Sequence, residues 1–88
     1  MIVKFGKLFS KDLTKVKDVH LKHDVIQIIE KFENADSILA MTNIKKMKGH
    51  PEAYRIRIGK YRLGFFYDGE TIELSRFVKR EDIYKLFP

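Results

Sequence analysis

Apolar and polar residues recur along this chain with two different periods, and the change falls near its middle. Leu21, Val25, Ile28, Ile29 and Phe32 stand 4, 3, 1 and 3 residues apart, a spacing that draws one stripe along a helix and predicts that it lies on a sheet. Asn34 marks its stop. Upstream, Phe9, Leu13 and Val16 share a face of a first helix. Ser10 is placed to cap that helix, with Asp12 in its first turn facing the positive end of the helix dipole. Ile2, Val3 and Phe5 read as a short opening strand that Gly6 interrupts.

After Pro51 the period becomes two. Over residues 53–58, Ile56 and Ile58 point one way while Arg55 and Arg57 point the other. Gly59-Lys60 predicts a tight reversal into residues 61–67, and Asp68-Gly69 a hairpin turn into residues 71–77, where Ile72 and Leu74 share a face. Residues 80–87 predict a terminal turn or short helix. From 35 to 51 the periodicity is poor, and Asn43, Gly49, His50 and Pro51 mark a connection. Strand, helix, helix and three strands make one α+β domain over residues 1–88. Its two N-terminal helices are packed on one face of a small, mainly antiparallel twisted sheet.

Composition supports a folded, unexported domain. The 88 residues are 44% hydrophobic, with seven Phe and four Tyr, enough for a core despite the many charges. Cysteine is absent, which excludes disulfides and cysteine-ligated zinc and fits a reducing cytoplasm. No long apolar run or signal-peptide core is visible, so a cytoplasmic protein without membrane contact is expected.

Charge adds a partner. The net charge is +6. Residues 1–43 hold seven Lys and no Arg against six acids, while residues 44–88 hold eleven Lys plus Arg against six. All five arginines lie between positions 55 and 80. A planar guanidinium keeps its charge and pairs with phosphate oxygens, so the arginine segment predicts a surface for a polyanion, nucleic acid or an acidic protein. Arg57 and Arg62 flank the Gly59-Lys60 turn as cross-strand neighbours, with Arg55 beside them. Such a cluster costs stability through like-charge repulsion unless an anion sits within it. The competing reading is a solvated face neutralised by acids such as Glu52 or Glu73.

Arg80 and Tyr84 stand four apart and would share one face of a terminal helical turn. A phenol among cations loses its proton more readily, which suits proton transfer, although a packing role fits Tyr84 too. His20 and His23 lack a third metal ligand, and no Gly-rich phosphate loop or Ser/His/Asp set is present. Metal-free phosphate chemistry, or binding, remains.

The segment M-K-G at 47–49, Y-R-I-R-I-G-K-Y-R at 54–62, the D-G turn at 68–69 and R-F-V-K-R-E-D-I-Y at 76–84 resembles the RelE/ParE family of bacterial and archaeal toxins from type II toxin–antitoxin pairs. The resemblance follows the whole chain in element order and is most specific over 47–84. It implies a metal-independent, cofactor-free and ribosome-dependent endoribonuclease that cuts mRNA in the ribosomal A site. By motif, the family's catalytic positions fall on Arg55, Arg57, Arg62, Arg80 and Tyr84. Arg62 with Arg57 would stabilise the phosphorane, Arg55 and Lys79 would orient the backbone, and Tyr84 or Arg80 would manage the proton. Lys45, Lys46 and Lys48 would hold the backbone of mRNA or ribosomal RNA.

Relatives in this branch often carry Lys where this chain has Arg55 and Arg57. Val78-Lys79 stands where many have Gly-His, so that histidine is missing here. The resemblance further implies a cognate antitoxin that wraps the domain, lays acidic side chains over the arginine face and forms an oligomer with it. The family also contains gyrase inhibitors of the ParE branch and inactive members that only bind antitoxin, and the sequence leaves those alternatives open.

Overall fold

A computed structural model describes all 88 residues. Strands β1 (Ile2–Phe5), β2 (Ile44–Lys46), β3 (Ala53–Ile58), β4 (Tyr61–Tyr67) and β5 (Thr71–Lys79) form one sheet. Its order is β1-β5-β4-β3-β2. β1 runs parallel to β5, and all other pairs are antiparallel. Helices α1 (Lys7–Lys15) and α2 (Val19–Asn34) follow β1, and a four-residue helix α3 (Ile83–Leu86) follows β5. The α+β architecture expected from the periodicity is therefore present, with one strand more than the pattern predicts.

That extra strand is β2. Only Ile44 of its three residues is apolar, so it carries too little alternation to read, and it exists because the outer edge of β3 offers Ile56, Arg55 and Tyr54 as partners. The two-residue period of β3 and β4 turns Ile56, Ile58, Leu63 and Phe65 toward the helices. There they meet Phe9, Val25 and Phe32 in a twelve-residue core. Ile72, Leu74 and Phe77 join the same core although their spacing breaks the period. A bulge explains this: Gly64 pairs with Arg76 and Phe65 with Leu74, leaving Ser75 unpartnered and resetting the alternation.

The start of α1 differs from expectation. The helix begins at Lys7 rather than near Ser10, and Ser10 N already donates to Gly6 O at 3.1 Å inside it. Gly6 N donates to Leu74 O, and a Cβ at Gly6 would lie 2.6 Å from that oxygen, so glycine lets α1 leave the sheet this closely. Asp12 consequently faces no helix N-terminus. It is 8% exposed, and its carboxylate accepts from Arg76 Nε at 2.8 Å, Arg76 Nη2 at 3.2 Å and Phe77 N at 3.0 Å. β1 covers β5 only as far as Leu74, and Asp12 satisfies the edge N–H beyond it.

The second helix matches its sequence pattern, ending at Asn34, and Asp18 caps its start by accepting from His20 N and Leu21 N. At its other end, the N-terminal ammonium donates to Phe32 O, Glu33 O and Ala35 O, where the helix dipole is negative. None of the helices is long and apolar enough to cross a membrane. Opposite the helices, the sheet carries a smaller apolar cluster of Met47, Ala53, Val78, Ile83 and Phe87, with Phe66 packed against it.

Candidate functional site

Strand register builds the site on the sheet face turned away from α1 and α2. Arg57 lies directly opposite Arg62, and Arg55 opposite both Lys45 on one side and Gly64 on the other. Cross-strand partners project on the same side with strands about 4.8 Å apart, so these four cations emerge together. Asn43, Lys45, Arg55, Arg57 and Arg62 line a cavity of about 190 Å³ with no apolar residue in its wall. That is room for a phosphodiester and little more.

Two of the cations, Arg62 and Arg55, are held by contacts of their own. Arg62 is half-buried, and its Nη1 donates to Gly59 O at 3.1 Å and Tyr61 O at 2.9 Å. The same turn accepts the backbone of Arg80, whose N–H reaches Lys60 O at 2.9 Å. A single glycine-initiated reversal, with Gly59 at φ 58°, thus anchors both Arg62 of β4 and Arg80 in the turn after β5. Arg55 rests its Nη1 3.7 Å from Met47 Sδ, and its Cζ lies 5.2 Å from the centre of the Tyr84 ring, a cation–π contact. Arg57 is exposed at the rim.

Crowding shows in the electrostatics. Burial first, and then the positive charges of Arg57, Arg80 and Arg55, lower the pKa of Arg62 from the usual guanidinium value, while Tyr84 pulls it the other way. Arginine stays protonated regardless, so this displacement marks a guanidinium that is first partly desolvated and then crowded by like charges. No carboxylate compensates it. The fold has one ion pair, Asp12 with Arg76. Glu52 and Glu73, the acids that a neutralised face would need, line a separate depression with Lys4, Asp68 and Thr71.

Arg76 separates from the other four arginines. Its pKa is raised, first by the hydrogen bond to Asp12, and its role is to tie α1 to the edge of β5. Lys46 pairs with Tyr54 and Lys79 with Tyr61. Both tyrosines pack on the helix-side core, so register sends these two lysines to the opposite face from the arginines. Lys48 is exposed in the turn after β2. Arg80 lies in the turn before α3, not on that helix with Tyr84. The two reach the site by separate routes, one through Lys60 and one over Arg55.

Sequence reasoning missed Asn43 and Met47 as parts of this site. Asn43 adopts φ 65°, and its carbonyl accepts from Arg57 N at 3.2 Å. The available signal was an Asn in a connection, a residue type that tolerates the left-handed region. A larger groove of about 830 Å³ between α2 and residues 40–43 adjoins the cavity through Asn43 and Arg57. It gathers no convergent charge, so volume does not identify the site here and electrostatics does.

Fold and site together define a small basic α+β domain with an unpaired cluster of cations on the face of its sheet turned away from the long helices. No family model matches the chain. It is 42% identical over 89 residues to Toxin RelE3 of Methanocaldococcus jannaschii, covering 100% of both chains. Among solved structures, it resembles the RelB-RelE antitoxin-toxin complex from Methanococcus jannaschii with TM-score 0.82 and 40% identity over 97% of this chain and 99% of that one. The archaeal RelE-RelB complex from Pyrococcus horikoshii OT3 shares the fold, at TM-score 0.71 and 19% identity over 90% of this chain and 93% of that one. The chain belongs to the RelE family of toxins.

Proposed function

We propose that this chain is the toxin of a type II toxin–antitoxin pair, acting in the cytoplasm by cutting mRNA on the ribosome and so arresting translation. The observation that carries this reading is the meeting of Arg55, Arg57 and Arg62 in one cavity without a carboxylate partner. Cleavage begins when a 2′-oxygen attacks the neighbouring phosphorus and loses its proton. Negative charge builds on the phosphorane oxygens, the bond to the 5′-oxygen breaks, and that oxygen gains a proton. A 2′,3′-cyclic phosphate and a free 5′-hydroxyl result.

Preplaced donors at the charge-bearing oxygens supply the largest part of such catalysis. Arg62 is the best preorganised, since two backbone carbonyls fix its guanidinium, and it stabilises the phosphorane with Arg57. Arg55 and Lys45 align the scissile phosphate. Lys48 stands farther out, where it fits a contact to flanking mRNA or ribosomal RNA, whereas Lys46 and Lys79 lie on the opposite face and reach no RNA held in the cavity. Arginine is too basic to act as a base, so Tyr84 handles the proton while Arg80 supports the leaving oxygen. The cognate antitoxin covers the same face with acidic side chains, forming the inactive complex.

Primer extension on actively translated mRNA tests this reading. Arg62→Ala and Arg80→Ala should each lower cleavage about 100-fold or more, in line with loss of one oxyanion donor, and should relieve growth arrest. Full cleavage by both folded variants, or inhibition of gyrase supercoiling in place of cleavage, would remove the proposal.

A further inference from the structure

Tyr84 raises a question that its own contacts do not answer. It is 65% exposed, it makes no hydrogen bond in the fold, and it belongs to a helix of four residues. So short a helix has no stability of its own in water. Something else must place the ring 5.2 Å from Arg55 Cζ.

Its neighbours do. Ile83 is fully buried and Phe87 is 3% exposed, both in the cluster with Met47, Ala53 and Val78. The Phe87 ring occupies the space beside Gly64 of β4: a Cβ built at Gly64 would sit 2.6 Å from Phe87 Cδ2, 2.7 Å from Cγ and 3.0 Å from Cε2. Gly64 is the residue facing Arg55 across the sheet. The missing side chain therefore opens a slot in the arginine face, and Phe87 fills it, bracing against Phe66 at 5.1 Å between ring centres. Met47, another wall of the same cluster, touches the Arg55 guanidinium through its sulfur.

We infer that Phe87 seated on Gly64 is a positioning latch, which holds Tyr84 and Arg55 in register for RNA cleavage without touching the substrate. The inference rests on the arginine cavity being the cleavage site, as proposed above. The backbone at Tyr84 is pinned from both sides by buried neighbours one residue before it and three after, which fixes the point from which its ring reaches Arg55. Without the latch α3 frays, Arg55 loses its aromatic lid, and the cavity keeps its charge but loses its geometry. The twelve-residue core on the other face contains neither Phe87 nor Gly64, so the latch can fail while the domain remains folded.

Two measurements on Phe87→Ala, Gly64→Ala and the double variant test this, with Phe87→Leu as the conservative control. In the free protein, NMR of the Arg55 side chain reports the ring current of Tyr84. The upfield shift should vanish in Phe87→Ala and Gly64→Ala, with no further change in the double variant, and should be largely kept in Phe87→Leu. In the cleavage assay kcat should fall about 100-fold, the scale set by an ångström-sized misplacement, while KM stays within about twofold. An Arg55 shift retained in Phe87→Ala overturns the latch. So does a loss confined to KM, which would mean that Phe87 serves binding only. Failure of the wild type to cleave mRNA would instead sink the proposed function, and the NMR comparison would still decide the latch.

Discussion

The two faces of the sheet solve opposite problems. The face under α1 and α2 is closed by twelve buried residues, among them Phe9, Phe32, Phe65 and Phe77. The other face is closed only at one end, by five residues around Phe87, and along the rest it displays cations with no acid partner. The strands that supply one supply the other, since Ile56 alternates with Arg55 and Arg57, and Leu63 with Arg62. Stability and charge are thus assigned to alternate residues of the same segments. Arg76 shows what an arginine looks like when it works for stability instead: it is held bidentate by Asp12 and lies apart from the cavity.

That contrast can be broken most forcefully from the helix side. Phe65→Ala should cost about 3–5 kcal/mol in urea-melt stability, as large-to-small changes of buried aromatics do, and much of the population would unfold. Next, Asp12→Ala should cost about 3 kcal/mol, because it leaves the Arg76 guanidinium and the Phe77 N–H without their partner. Equilibrium unfolding at neutral pH reads both.

The arginine face should respond with the opposite sign. Arg57→Ala relieves repulsion, so its stability should stay within about 0.5 kcal/mol of wild type or exceed it. Added inorganic phosphate should raise the melting temperature of the wild type more than that of the variant, by preferential binding to the folded cavity. An equal response in both would deny that the guanidinium groups share an anion. The smallest effect concerns Lys45 against Lys46. Both sit on β2, yet register puts only Lys45 with Arg55. Lys45→Ala should reduce the salt slope of RNA binding by about 1, and Lys46→Ala should reduce it less, which titration at several salt concentrations would resolve.

Much of this molecule was already legible along the chain. The stripe through Leu21, Val25, Ile28 and Phe32 located α2, and alternation in residues 53–67 located β3, β4 and their turn, because in both cases burial of one face follows directly from local periodicity. The same alternation placed Arg55, Arg57 and Arg62 on a common surface. Local order stopped serving where nonlocal partners decide. Asp12 reads locally as a helix-start residue, yet its partner is the uncovered edge of β5, and β2 has no pattern of its own because pairing with β3 defines it. Lys46 and Lys79 stand next to the cations in sequence, but register turns them to the other side.

Periodicity therefore determined which residues are core, which are surface, and that Arg55, Arg57 and Arg62 share one face of the sheet. Tertiary structure alone decided that Arg76 leaves the group for Asp12, that the turn at Gly59 ties Arg62 to Arg80, and that Tyr84 lies on Arg55. The physical reason is range: alternation is set by a residue and its immediate neighbours, whereas each of those contacts closes a loop between elements whose positions only the assembled sheet defines.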